Sequence, residues 1–301
     1  MQKLSFLIAL IIGLSPSTAA WGIIGGVAPD SPTNRIDPNN NPTFAGVGTM
    51  SNGCTGTAIT PSHILTAAHC GPATSFVVNN LDNTQTTYSG TTTFHPSASF
   101  PFNDLAILTL DSPLPSSVPT YSFYNQPLAL GTKIVMVGYG ASGTGDLGAT
   151  VGSSNQIKRR GENVVDSYLD SNQNIVTSYQ PLFVFDFDGP DNTTNLIGNG
   201  TLGNELEATL GGLDSGSPSF VFSNGNYLLA GINGFVANGI NPSYQFGSLG
   251  GGVDLYQYQT WVSEVTSQVQ PVPFNLSPLV IALAGGIISW YKSKGKSQKS
   301  R

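Results

Sequence analysis

The chain has 301 residues, enough to build one large or two small hydrophobic cores. Only 9% of them are charged, against about 25% in an average soluble domain, and 36 glycines and 20 prolines favour a loop-rich, all-β exported protein over a helical cytosolic one. The net charge is −6, and five of the 11 basic residues lie in the last ten positions, so we expect no nucleic-acid partner, because phosphate binding needs a basic face.

The first 22 residues have the layout of a secretory signal peptide. A basic residue, Lys3, precedes an apolar run over residues 4–14, and small residues follow that run. The alternative is a membrane anchor, but the run is shorter than the ~20 apolar residues that span a bilayer. Signal peptidase could cut after Ala20 or after Gly22. We predict a signal peptide over residues 1–22 and a mature chain that starts at Ile23.

Short segments rich in Val, Ile, Phe, Thr and Tyr recur between turn clusters, which indicates antiparallel strands in a sandwich or barrel. The chain shows neither a repeat of fixed period nor a regular alternation of strands with helices, which disfavours solenoids and doubly wound folds. The glycine-rich segment 141–154 is expected to be a flexible loop, and a helix is expected only at 260–269. The clearest predicted strands are residues 76–78, 105–110, 133–137, 181–187, 218–222 and 227–232.

Three local motifs supply the parts of an activated serine nucleophile. His69 follows an apolar strand in Leu-Thr-Ala-Ala-His-Cys, and Asp104 stands at the head of an apolar strand in Asn-Asp-Leu-Ala-Ile-Leu. Ser215 lies in a tight, glycine-lined turn within Asp-Ser-Gly-Ser-Pro. Each residue alone could be a core histidine, a turn carboxylate or a turn hydroxyl. Together they predict a base, a carboxylate that orients it, and a nucleophile.

Few other residues compete for these roles. Ser217, two positions after Ser215, is the rival nucleophile. The two other histidines, His63 and His95, are expected at surface or turn positions.

The only two cysteines, Cys54 and Cys70, lie sixteen positions apart, and Cys70 adjoins His69. In an exported chain they are expected to form a disulfide that pins the histidine loop. A metal site built on the two cysteines would need further ligands nearby, and none is evident in the sequence.

One acidic loop could bind a metal. Asp186, Asp188 and Asp191 surround a Gly-Pro turn and offer oxygen ligands for calcium. Their spacing matches no known calcium loop, and acidic Gly-Pro turns are common without metals. We therefore predict no metal and no cofactor.

Residues 270–301 form a separate terminal segment. Residues 276–291 are apolar, and the lysine-rich tail that follows marks the cytoplasmic side of a membrane. The alternative is an end helix docked on the body, but no polar face interrupts the apolar run. The opening Val-Pro-Phe-Asn-Leu-Ser-Pro resembles the sorting segments of bacterial exosortase systems in their cyanobacterial variant, although Asn275 stands where those segments usually carry Glu. The resemblance implies an anchor helix in the membrane and a sorting or processing peptidase as partner.

The three motifs resemble those of the chymotrypsin/trypsin family of serine endopeptidases. The family signatures read Thr-Ala-Ala-His-Cys, Asp-Ile-Ala-Leu and Gly-Asp-Ser-Gly-Gly-Pro; here the second reads Asp-Leu-Ala-Ile at 104–107 and the third Leu-Asp-Ser-Gly-Ser-Pro at 213–218. The resemblance covers residues 23–269. It implies an all-β fold of two six-stranded antiparallel β-barrels, with the active site in the cleft between them and a short C-terminal helix.

The resemblance also implies an oxyanion hole made by the amides of Leu213 and Ser215. The family carries glycine where Leu213 stands. A leucine there must either accept a strained left-handed backbone or point its amide away until substrate binds. The second alternative predicts a slow enzyme whose kcat the substitution Leu213→Gly would raise about tenfold or more.

The substrate pocket follows from the same resemblance. Counting back six positions from the nucleophile places Thr209 at the base of the pocket, and Asn233, Gly234 and Phe235 line its wall. A neutral hydroxyl cannot pair with a basic side chain, so we predict no cleavage after Arg or Lys and a preference for small or apolar side chains.

The segment Ile-Ile-Gly-Gly at 23–26 resembles the mature N-terminus of the family. Its implied role is a switch in which the freed amine of Ile23 pairs with the carboxylate of Asp214.

The sequence therefore predicts an exported serine endopeptidase of the cell envelope or exterior, acting on protein or peptide substrates through an acyl-enzyme. The first rival is a weak or inactive pseudoprotease that serves as a surface binding module. The second is a structural spacer with no open cleft at Ser215. Labelling by a fluorophosphonate probe distinguishes the enzyme from both.

Overall fold

The computed structural model describes residues 23–26, 35–190, 192–203 and 206–267. Within these ranges the chain forms β-strands, short 3-10 turns and one α-helix, α1, at Gln259–Thr266. The predicted all-β class and the predicted C-terminal helix are confirmed. The expected signal peptide over 1–22 and the expected anchor segment over 270–301 lie outside the described residues. No helix in the described ranges is both long and apolar enough to cross a membrane.

The first half of the chain is a closed antiparallel barrel. Two short strands precede it, β1 (Ile24–Gly25) and β2 (Ile36–Asp37). The barrel strands are β3 (Val47–Met50), β4 (Thr55–Thr60), β5 (His63–Thr66), β6 (Ser75–Asn79), β7 (Gln85–Phe94) and β8 (Ala106–Leu110). They close in the order β3-β4-β5-β8-β7-β6. Apolar side chains such as Ile64, Phe76 and Leu108 fill the interior, so the first predicted six-stranded barrel is confirmed.

The second half is built on a nine-stranded sheet whose paired strands are antiparallel. Its later strands are β9 (Lys133–Gly138), β12 (Lys158–Val164), β13 (Ser167–Leu169), β14 (Ile175–Val176), β15 (Leu182–Asp186), β17 (Pro218–Ser223), β18 (Asn226–Ala237) and β19 (Leu249–Asp254). The order is β14-β13-β15-β19-β18-β17-β9-β12-β2. The prediction of a second barrel of six strands was wrong in strand number, because β2 pairs beside β12 and β13 and β14 pair beside β15. The side-chain Nδ2 of Asn163 in β12 donates to the backbone carbonyl of Asp186 in β15 at 2.8 Å.

Two small sheets complete the second half. β1 pairs with β16 (Ala208–Thr209). The segment that we expected as a flexible loop forms a hairpin of β10 (Ser142–Thr144) and β11 (Gly148–Val151). The expectation of a loop was wrong because Gly148, at φ 69°, provides the left-handed turn residue, and the hydroxyl of Thr144 accepts from the amide of Leu147 at 3.2 Å.

One apolar cluster joins the two halves. It contains Leu65 and Leu105 from the first barrel and Val135, Phe220 and Tyr258 from the second half. The end of β5, the start of β8 and the turn before β17 lie beside this cluster. Residues that are far apart in the sequence are therefore close together there.

Candidate active site

His69 lies directly after β5. It is part of a short 3-10 helix at Ala68–Cys70. Cys70 forms a disulfide with Cys54, the residue before β4, which confirms the predicted pairing and ties this helix to the barrel wall. The disulfide restrains the backbone beside His69, and the His69 side chain is 27% exposed, so a substrate can reach the imidazole.

Asp104 lies immediately before β8, and its side chain is 2% exposed. Its Oδ1 accepts a hydrogen bond from the backbone amide of His69 at 2.7 Å, and its Oδ2 lies 2.6 Å from His69 Nδ1. A Cβ built on Gly234 would lie 3.4 Å from Oδ2, so the backbone of β18 covers the carboxylate. The carboxylate therefore holds the imidazole with Nδ1–H directed inward and Nε2 directed outward.

Ser215 lies in the turn before β17, with its Oγ 2.8 Å from His69 Nε2. This turn requires glycine at position 216, because the residue has φ 82° and a side chain there would clash with the carbonyl of Thr55. The amide of Thr55 donates to the carbonyl of Ser215 at 3.0 Å, and the amide of Gly216 donates to the carbonyl of Asn233 at 2.9 Å. The structure thus brings the three predicted residues into one hydrogen-bonded chain.

Leu213 has a left-handed backbone with φ 66°. Its carbonyl accepts from the hydroxyl of Thr55 at 3.2 Å, and its side chain packs against Gly53. Within the described part of the chain, the amides of Leu213 and Ser215 donate to no protein acceptor. The oxyanion hole at these two amides stays a prediction.

Asp214 is completely buried. Its two carboxylate oxygens accept from the amides of Gly140 at 3.1 Å and Gly211 at 3.0 Å. Burial raises the pKa of Asp214 to about 8, while the backbone hydrogen bonds and the charges of Arg159 and Arg35 act in the opposite direction.

Ile23, the expected partner of Asp214, is also completely buried. In the uncleaved chain its nitrogen belongs to the peptide bond with Gly22. Its carbonyl accepts from Nη2 of Arg35 at 2.8 Å. The proposed ion pair with Asp214 thus remains a prediction for a cleaved chain.

The family model for trypsin matches residues 32–262. The chain belongs to the trypsin-like serine protease family. It is a serine endopeptidase, and the family activity is peptide hydrolysis. No curated protein matches the chain. Among solved structures, the chain is similar to neuropsin, a serine protease expressed in the limbic system of mouse brain, with 15% identity and a TM-score of 0.58 over 81% of this chain and 100% of neuropsin. At that identity the likeness concerns the fold alone.

The four predicted pocket residues of the protease lie in different environments. Thr209, in β16, is completely buried and uncharged. Gly234 adjoins Asp104 as described above, and Phe235 lines an apolar cavity. Asn233 is completely buried, and its side chain faces β17 instead of an open pocket. The other residues around the cavity are Pro101, Leu169, Gln173, Ile175, Val184, Ala237 and Leu249.

The competing residues are placed away from the reacting atoms. Ser217 is completely buried, and its Oγ accepts from Asn233 Nδ2 at 2.8 Å. His63 is buried in β5 with Nδ1 2.7 Å from Thr60 Oγ1, so the expectation of a surface or turn position was wrong. His95 is half-buried at the end of β7.

The acidic loop is built around buried carboxylates. Asp186 accepts from the amides of Leu196 and Ile197 at 2.6 and 2.8 Å, and Glu207 accepts from the amide of Asp188 at 3.1 Å. Asp191, the third expected calcium ligand, lies outside the described residues. Among those described, no group of three or more His, Cys, Asp or Glu side chains is arranged to hold a metal ion.

Sequence reasoning missed two features of the site. The ring of Phe100 lies edge-on to the imidazole of His69 at a centroid distance of 4.9 Å. Arg35 and Arg159 are buried and place positive charge near Asp214. No local motif marks Phe100 or these arginines, because each is distant in the sequence from the residue that it approaches, His69 for Phe100 and Asp214 for the arginines.

Proposed function

We propose that the protein is an exported serine endopeptidase that hydrolyses peptide bonds through an acyl-enzyme on Ser215. The observation that carries the proposal is the position of His69, with Nδ1 2.6 Å from Asp104 and Nε2 2.8 Å from Ser215 Oγ. A serine hydroxyl becomes an effective nucleophile only when such a base removes its proton.

The first half-reaction forms the acyl-enzyme. Oγ of Ser215 attacks the carbonyl carbon of the peptide, and its proton moves to Nε2 of His69. Asp104 stabilises the imidazolium through the Nδ1–H hydrogen bond. When the C–N bond breaks, Nε2 returns the proton to the leaving amine. An ester to Ser215 and a free amine result.

The second half-reaction releases the product. A water molecule gives a proton to Nε2 of His69 and attacks the ester carbon. The C–O bond to Ser215 breaks, and the proton returns to Oγ, which restores the enzyme and frees a carboxylic acid. The amides of Leu213 and Ser215 would stabilise the oxyanion in both halves, because neither has a competing acceptor among the described residues.

Two features support a preference for apolar substrates. Thr209 offers no charge to a basic side chain, so cleavage after Arg or Lys is not expected. Phe235 and Pro101 line an apolar cavity, and Pro101 follows Phe100, whose ring contacts His69. An extended peptide bound at Ser215 could place an apolar side chain in this cavity.

Export and attachment are proposed from the two ends of the chain. Residues 1–22 would direct secretion, and residues 270–301 would anchor the protease in the membrane until a sorting or processing peptidase acts on them. The disulfide between Cys54 and Cys70 supports an oxidising compartment.

Digestion of a peptide library, with products identified by mass spectrometry, tests this function. We expect cleavage after small or apolar residues, none after Arg or Lys, and a fluorophosphonate adduct on the peptide that contains Ser215. A folded protein that neither cleaves peptides nor reacts with the probe would support the pseudoprotease instead.

A further inference from the structure

Asn103, the residue before Asp104, has a backbone conformation that few side chains accept. Its φ is 50°, in the left-handed region, where non-glycine L-residues are strained and Asn is among the better tolerated. The amide of Leu105 donates to the carbonyl of Asn103 at 2.8 Å, which closes a three-residue turn around Asp104. The direction of the Asp104 carboxylate therefore depends on this conformation.

Two hydrogen bonds hold the Asn103 side chain. Its Oδ1 accepts from the hydroxyl of Tyr258 at 2.9 Å, and its Nδ2 donates to the carbonyl of Ser97 at 3.1 Å. The side-chain amide thus bridges the loop before β8 and a residue 155 positions away.

Tyr258 is itself fixed in place. It ends a 3-10 helix at Leu255–Tyr258 that leads directly into α1, and it is 7% exposed. The ring of His95 packs edge-on against Tyr258 at 5.5 Å and against Trp261 of α1 at 5.0 Å. The amide of Ser97 donates to Nδ1 of His95 at 3.2 Å. Ser97, which accepts the hydrogen bond from Asn103, is therefore linked through His95 to the C-terminal helix.

We infer that Tyr258 and Asn103 are positioning residues for Asp104, and that through them the C-terminal helix sets the orientation of the carboxylate that holds His69. The inference rests on the proposed function. The Tyr258 hydroxyl selects the left-handed conformation of Asn103, the turn aims the Asp104 carboxylate, and the carboxylate orients the imidazole toward Ser215. Neither Tyr258 nor Asn103 contacts the reacting atoms.

Four single variants of the full-length protein test the inference. Tyr258→Phe removes the hydroxyl and keeps the packed ring, and Asn103→Ala removes the amide where the backbone is strained. Asn103→Gly also removes the amide, but glycine adopts a positive φ without a steric penalty. Tyr256→Phe is the matched control, because Tyr256 lies in the same 3-10 helix with its side chain exposed.

We expect kcat to fall about tenfold in Asn103→Ala and several-fold in Tyr258→Phe, with KM unchanged. Asn103→Gly should retain more of kcat than Asn103→Ala, and adding Tyr258→Phe to Asn103→Gly should cause no further loss. The control should match the wild type. A purely structural role would instead lower the melting temperature and leave kcat per folded molecule unchanged.

A second readout does not require activity. Because His69 Nδ1 lies only 2.6 Å from Asp104 Oδ2, we expect the proton between them to resonate far downfield in the ¹H NMR spectrum. This resonance should shift or broaden in Tyr258→Phe and Asn103→Ala but not in Tyr256→Phe. If the wild type is inactive, the proposed function fails, and this resonance still tests the positioning. An unchanged kcat and an unchanged resonance in folded Tyr258→Phe and Asn103→Ala would overturn the inference, as would an Asn103→Gly variant as impaired as Asn103→Ala.

Discussion

The Oγ atom of Ser217 accepts a hydrogen bond from Nδ2 of Asn233 at 2.8 Å, and both residues are completely buried. Ser217 therefore supports the turn that carries Ser215 and does not meet a substrate. We expect Ser215→Ala to abolish probe labelling and peptide cleavage. Ser217→Ala should keep most of the activity and lose about 1 kcal/mol of stability, the usual cost of a lost buried hydrogen bond.

Labelling by a fluorophosphonate and thermal denaturation of the two variants check this prediction. If Ser217→Ala were the variant that lost labelling, the assignment of the nucleophile would be wrong.

Leu213 has a left-handed backbone with φ 66°, at a position where the family carries glycine. The hydroxyl of Thr55 donates to the carbonyl of Leu213 at 3.2 Å. The sequence left two alternatives open for Leu213, a strained left-handed backbone or an amide that points away from the substrate. The structure has the left-handed backbone. We therefore expect Leu213→Gly to change kcat by less than about threefold, instead of raising it tenfold. Steady-state kinetics on one apolar peptide measures this. A tenfold gain would mean that the resting leucine does not offer its amide to the oxyanion.

The disulfide between Cys54 and Cys70 closes a loop with a sequence separation of 16 that contains the whole of β4 and β5. A loop of that length stabilises a protein by about 3 kcal/mol. We expect the double variant Cys54→Ser, Cys70→Ser to lose about 6–12 °C in Tm. Because Cys70 adjoins His69, kcat should also fall. Calorimetry with and without a reductant checks the prediction, with the reduced wild type expected to match the double variant. A reduced protein as stable as the oxidised one would contradict it.

The mature N-terminus should be Ile23. A new amine at this completely buried residue needs a counter-charge, and Asp214, whose pKa burial raises to about 8, is the expected partner. N-terminal sequencing of secreted, active protein tests the cleavage position, and Asp214→Asn should lower kcat in that material. Fully active protein that starts at Trp21 would rule out the switch.

The sequence predicted those parts of the fold and site that local patterns encode. Predicted strands such as 133–137 and 218–222 end within a residue of β9 and β17, because their apolar residues and bounding turns are local. His69, Asp104 and Ser215 stand in short motifs that are readable from neighbouring residues alone.

The remainder depends on contacts between distant residues. No local pattern shows that Tyr258 bonds to Asn103, 155 positions away, or that Asn233 faces Ser217 instead of a substrate. No local pattern marks the carboxylates of Asp166, Asp188 and Glu207 as buried. The hydrogen bonds to Asp166 and Glu207 come from the loop at 199–202.

These carboxylates should make stability depend on pH. Burial, with the charges of Asp186 and Glu207, raises the pKa of Asp188 to about 7, and burial raises the pKa of Asp166 to about 8. The pKa of an unfolded Asp is ~3.9, so the folded state binds these protons more tightly. Their stabilising contribution is complete below about pH 4 and is lost as the pH rises through about 7–8. We expect the Tm to fall by at least about 4 °C between pH 5 and pH 8.5.

Asp188→Asn isolates this effect, because the amide stays neutral at every pH and occupies nearly the same volume. Asp188 is 4% exposed, and its Oδ1 has no hydrogen-bond partner within the described ranges, so the variant should flatten the dependence of Tm on pH. Asp111→Asn, at an exposed position, should not. An equal slope in Asp188→Asn and wild type would place the titration elsewhere. A calcium-dependent rise in Tm at pH 8.5, present in the wild type and absent from Asp188→Asn, would show that a cation neutralises these carboxylates in place of protons.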